Sequence, residues 1–186
     1  MKSNSVENEN TFNSLSEDLK FALNNPLFSD IKLKGNDGEE IQAHRVILVS
    51  RSEVFKRILL NESTQNVIEF YEFSSKILHV ILEYLYTGKV TETLQIEIIA
   101  KAFHSADYFL LEQLKHQMIE FVLHDLKNKE NNINISAKIL SQLLECMDTP
   151  NNKLVESLCK IIDFAPLKSI EYNNLILNII IKPTKL

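Results

Sequence analysis

The 186-residue chain is 45% apolar and 24% charged, the balance of a globular chain with a real core. With three glycines, four prolines and no tryptophan, it excludes collagen-like and many-turned all-β architectures and favours helices with few tight turns. Gly35, Gly38 and Gly88 lack the spacing of a P-loop or a dinucleotide fingerprint, and a net charge of −5 with only three arginines, Arg45, Arg51 and Arg57, offers no basic face for nucleic acid.

Residues 1–13 are rich in Asn, Ser and Glu and read as disordered. From Ser14 the pattern turns helical, with Leu15, Leu19, Ala22 and Leu23 on one face and Pro26 closing the helix. Ser29 to Lys34 alternates with Ile31 and Leu33 on one side, Asn36-Asp37-Gly38 makes a turn, and Glu39 to Ala43 returns with Ile41 and Ala43 inward. That is a hairpin. Val46 to Val49 is a short apolar run, and Ser50-x-x-Glu53 reads as a capping box ahead of Val54, Phe55, Ile58 and Leu59 at helical spacing.

Val67, Ile68 and Phe70 suit a third strand. Ser74 or Ser75 then caps a helix through Ile77, Leu78, Ile81, Leu82, Leu85 and Tyr86, which Gly88 is placed to end. That helix is apolar nearly all round and belongs in the middle of the domain. Leu94 to Tyr108 and Leu110 to Leu126 are two further helices, residues 127–134 a charged, Asn-rich linker, and 136–147 and 153–163 an amphipathic pair broken at Thr149-Pro150. No repeat period is present. The order predicts an α+β domain of about 115 residues with a helical extension.

No constellation of catalytic or metal-binding residues stands out. His44, His79, His104, His116 and His124 lack carboxylates at zinc-site spacing. Cys146 and Cys159, thirteen apart, read as buried thiols of a reducing compartment, ahead of one disulfide or a metal site. The first ten residues lack an apolar signal core. The longest apolar stretch, Leu175 to Ile181, is interrupted by Asn178 and falls far short of a membrane span. The chain is expected to act in the cytoplasm or nucleus, without cofactor, metal, nucleic acid or membrane.

At Phe28-Ser29-Asp30-Ile31, Ala43-His44-Arg45-Val46-Ile47-Leu48 and Arg51-Ser52-x-x-Phe55 the sequence resembles the BTB/POZ family. Ile81-Leu82-Glu83-Tyr84-Leu85-Tyr86-Thr87-Gly88 is similar to that family's central helix, and Ala102 with Ala106-Asp107-Tyr108 to its next helix. The resemblance divides the chain into an N-terminal segment 1–13, a BTB/POZ domain 14–126, a linker 127–134, and a helical extension and tail 135–186 similar to the start of a BACK or three-box region. It implies a small three-stranded sheet flanked by a cluster of helices, plus a C-terminal helical hairpin.

It also implies a protein–protein interaction module rather than an enzyme. The helix ahead of the first strand would pair with a second copy or another BTB protein through Leu15, Leu19, Ala22 and Leu23; the alternative is that this stripe folds back on its own subunit. Asp30 and Arg45 would form a buried charge pair near that interface. Cullin-3 would dock through a hydrophobic-x-Glu loop, here Leu60 and Glu62, aided by Tyr108 and Phe109; the bland alternative is a helix turn with one solvated Glu. The implied protein is a cullin-3 ubiquitin-ligase adaptor that recruits an unknown protein substrate, and its rival an oligomerisation scaffold with no ubiquitin connection. The sixty residues after Leu126 are too few for a propeller. That leaves three expectations: the extension binds the target, the chain pairs with a fuller BTB protein, or it is a truncated competitor for cullin.

Overall fold

Alternation decides the sheet. In the computed structural model, which describes residues 14–61, 66–90, 94–127, 132–146 and 153–163, Ile31 and Leu33 of β1 (Ile31–Lys34) are buried while Lys32 and Lys34 face outward. Strand β2 (Glu40–Ala43) pairs antiparallel with β1, Leu33 opposite Ile41, and buries Ile41 and Ala43. Strand β3 (Val67–Glu69) lies parallel to β1 on its other side, giving the order β2-β1-β3. The outward lysines bridge the strands, Lys32 to Glu40 and Lys34 to Glu69, each at 2.8 Å. Asn24 covers the outer edge of β2: its N–H donates to Gln42 O, and its Oδ1 accepts from the Gln42 N–H, which occupies groups that would otherwise invite another strand.

Eight α-helices accompany this sheet among the described residues: α1 (Leu15–Ala22), α2 (Arg45–Arg51), α3 (Glu53–Asn61), α4 (Ser75–Thr87), α5 (Ile99–Tyr108), α6 (Glu112–Lys127), α7 (Asn132–Cys146) and α8 (Lys153–Asp163). Helix α4 buries nine side chains, from Ile77 to Tyr86, and packs against α1, α2, α5 and the strands β1 and β2. Gly88 ends it in the left-handed region at φ 75°, with its N–H on Tyr84 O at 2.7 Å, a conformation that a side chain would oppose.

Three local features differ from the sequence reading. Ser50 is no cap: its hydroxyl donates to Ile47 O inside α2, and Ser52 instead accepts the Phe55 N–H at the α2–α3 junction. Neither Ser74 nor Ser75 caps α4 with its side chain. Asp37, in the β1–β2 turn, reaches across to accept from the Ser75 N–H and hydroxyl at 3.0 and 2.7 Å. The turn lies so close that a Cβ on Gly35 would stand 2.4 Å from Ser75 N, so only glycine fits there. Third, α6 runs to Lys127 and α7 begins at Asn132, inside the stretch expected to be a linker. Helices α7 and α8 pack on each other and on α5 and α6, and Ile139, Leu140, Leu143, Leu154 and Leu158 join the same apolar core as the sheet. The segments 1–13 and 164–186, with the Leu175 to Ile181 run, lie outside the described residues.

The Ser75 hydroxyl, with the backbone N–H beside it, holds the Asp37 carboxyl below its ordinary value. A carboxyl so lowered stabilises the fold only while ionised, a contribution present at neutral pH and lost as pH falls through the folded value. Asp37→Ala should therefore lower the urea midpoint at pH 7, and its gap from wild type should close as the pH drops below about 4, followed by circular dichroism.

Candidate protein-interaction surfaces

Helix α1 is secured at its start by a capping box. The Ser14 hydroxyl accepts from the Glu17 N–H, and the Glu17 carboxylate accepts from the Ser14 N–H at 2.8 Å. That backbone bond, with the serine hydroxyl, holds the Glu17 carboxyl below its usual value. The helix has no fully buried residue. Leu19, Ala22 and Leu23 are half-buried against the chain's own core, so three of the four expected dimer residues already have intramolecular contacts. Leu15 is 74% exposed. So is most of Phe21, at 73%, which the stripe reading missed because it stands on the side of the helix turned away from α4. Leu15 and Leu19 border a groove of about 420 Å³ with Ile47, Leu85 and Tyr86.

Asp30 and Arg45 meet at the start of α2, where the expected burial is absent on the carboxylate's side. Asp30 is exposed, Arg45 half-buried, and Asp30 Oδ1 accepts from the backbone N–H of Arg45 at 2.7 Å. The physical reason is local. Arg45 is the first residue of α2, its N–H is one of the donors that a helix start leaves open, and the preceding residue, His44, supplies no side-chain cap. His44 is turned inward instead. Its backbone N–H donates to the Tyr86 hydroxyl at 3.0 Å, and its Nδ1 lies 2.8 Å from the same oxygen. Burial pushes the Tyr86 hydroxyl up to about 12, so it stays protonated and available as a donor.

The third surface lies around an aromatic cluster. Phe55 of α3 stacks on Phe109 at 4.7 Å between centroids and 9° between planes. Phe70 and Phe73 close on Phe109 from the segment between β3 and α4, at 5.5 and 5.9 Å. Phe109 is 1% exposed and belongs to the core, so it cannot touch a partner as expected. Its neighbours can: Leu110 sits in the left-handed region at φ 55°, and the turn leaves Tyr108 and Leu110 45% and 60% exposed. Leu60, near the end of α3, is 71% exposed. Glu62 lies outside the described residues. Tyr71, exposed with its hydroxyl on Glu69, is a further surface aromatic that the sequence pattern did not single out.

A small mixed sheet is backed by helices on one face, and apolar side chains are presented on helix ends and turns, where another protein could reach them. Comparison with known proteins gives the family. Residues 19–126 match the BTB/POZ domain family, and the chain belongs to it. It is 30% identical over 138 residues to a BTB/POZ domain-containing protein of Arabidopsis thaliana, covering 72% of this chain and 46% of the relative. It is 27% identical over 172 residues to Kelch-like protein 38 of Danio rerio, covering 80% and 29%. The BTB domain of human gigaxonin superposes with a TM-score of 0.50 at 27% identity, over 65% of this chain and 98% of that domain. The chain spans less than half the length of these curated relatives. BTB domains are typically interaction modules without catalysis of their own. No helix among the described residues is long and apolar enough to cross a membrane.

The cluster yields a stability test. Phe109→Ala should cost roughly 3–5 kcal/mol in urea unfolding, whereas Tyr108→Ala, at a half-exposed ring, should cost less than half as much.

Proposed function

We propose that this chain is a non-enzymatic BTB adaptor that dimerises through α1 and docks cullin-3 through the end of α3 and the α5–α6 turn. The observation that carries the reading is Leu60: an apolar side chain left in solvent near the end of α3, at the position where the family resemblance puts the docking motif. Such a residue suits a hot-spot anchor. The Phe55–Phe109 stack ties α3 to the α5–α6 turn, so Leu60 and Tyr108 are carried by elements with a rigid common base. Phe109 serves that base and is not a contact.

Dimerisation is supported by Leu15 and Phe21, both exposed in a single chain, and by the apolar groove beside them. Leu19, Ala22 and Leu23 would act by seating α1. Asp30 and Arg45 would act by fixing the start of α2, whose Ile47 lines the same groove. The chain itself transfers no ubiquitin in this reading. It raises the effective concentration of a bound substrate near the ligase, and a dimer offers two tethers. Helices α7 and α8, packed on α5 and α6, would extend the cullin-facing or target-binding surface.

A scaffold that oligomerises without cullin accounts for the α1 surface equally well, so the discriminating experiment concerns Leu60. Wild-type chain should retain cullin-3 in a purified two-component pulldown, and Leu60→Asp combined with Glu62→Lys should abolish retention while thermal unfolding stays unchanged. Absence of wild-type binding leaves the scaffold in front. For the dimer, Leu15→Asp should shift sedimentation equilibrium to the monomer without loss of helicity, since Leu15 has little to lose within one chain.

A further inference from the structure

Helix α4 carries one buried charge, Glu83, whose side chain is 4% exposed. Its Oε1 lies 3.5 Å from Lys20 Nζ of α1, a side chain that is itself 55% exposed. One turn further along α4, Thr87 O accepts from the Ser16 hydroxyl at 3.2 Å. Ser16 and Lys20 are one turn apart on α1, and Glu83 and Thr87 one turn apart on α4. The two contacts therefore form rungs between antiparallel helices, spaced by the helical pitch. A slip of one turn would set Lys20 against the Thr87 carbonyl in one direction and Ser16 against the buried carboxylate in the other, and either separates Lys20 from Glu83.

Apolar contact alone gives α1 little to hold this position, since Leu19, Ala22 and Leu23 are only half-buried and no residue of the helix is fully buried. Half-buried side chains tolerate sliding. An ion pair whose carboxylate is already out of water does not, because its energy falls steeply when the cation moves away.

We propose that Lys20 is a positioning residue for self-association: paired with Glu83, it sets the register of α1 on α4, and so places Leu15 at the rim of the groove and Phe21 outward. The proposal rests on the reading that α1 is the dimer helix, and it adds to that reading the residue that aims it. Lys20 need not touch the partner subunit.

Hydrogen exchange and sedimentation equilibrium on the full chain test it together. Lys20→Gln should speed exchange of the Leu19 and Leu23 amides and raise the dimer dissociation constant, each about tenfold, while the β1 amides keep their rates. Lys20→Arg should restore both, and in a Glu83→Gln background the Lys20→Gln change should have no further effect. Unchanged α1 exchange in Lys20→Gln, or Lys20→Arg behaving as badly as Lys20→Gln, overturns the proposal. A wild-type chain that stays monomeric at all concentrations overturns the dimer reading, and the exchange rates then still decide whether Lys20 sets α1.

Discussion

Helix α4 is apolar on nearly every face, and a helix of that kind has to be enclosed. Everything around it follows from that requirement. The sheet lies along one side, α2 and α5 cover others, and α1 closes what remains. Its ends are then tied by chain segments that are distant in sequence. Asp37 from the hairpin turn receives the first amide, and Arg51 Nε donates to Leu85 O in the last turn. The single acid within the helix, Glu83, lies under the one covering helix that has no fully buried residue of its own. The surface that the resemblance assigns to self-association is thus the outer side of the least secured wall.

The strands, the central helix and its glycine stop were legible because each depends on residues near in sequence: alternation at Ile31, Leu33, Ile41 and Ala43, and apolar crowding from Ile77 to Tyr86 before Gly88. What was not legible depends on residues that meet only after folding. Nothing near Ser74 reveals that Asp37 will cap α4, and nothing near Asp30 reveals that its carboxylate will accept from the first amide of α2. The capping box assigned to Ser50 failed for a related reason: α2 continues through that serine, so its hydroxyl finds a carbonyl inside the helix while Ser52 takes the junction.

The site residues divide along the same line. Leu60 and Leu15 are as exposed as a docking residue must be, but pattern could not distinguish Tyr108 from Phe109, since adjacent residues at a helix end face opposite ways. The left-handed residue Leu110 settles that geometry, and a leucine in that conformation is not foreseeable from sequence. Phe21 was missed because an amphipathic reading looks for one stripe, whereas α1 has a face toward α4 and an apolar residue on the far side as well.

The sheet order has a consequence for the route by which the chain folds. Strands β1 and β2 adjoin in sequence and close through a short turn, but β3 must travel past α2 and α3 before it lies parallel to β1. The first pairing is a microsecond event for an isolated hairpin, whereas the second waits on a much larger loop closure. Packing of Phe55 against Phe70 and Phe109 joins the crossover to the residue that follows β3 and to one beyond α4 in the chain. The aromatic cluster is therefore expected to assemble late, with the last strand, and variants within it should show their effect mainly as faster unfolding rather than slower folding.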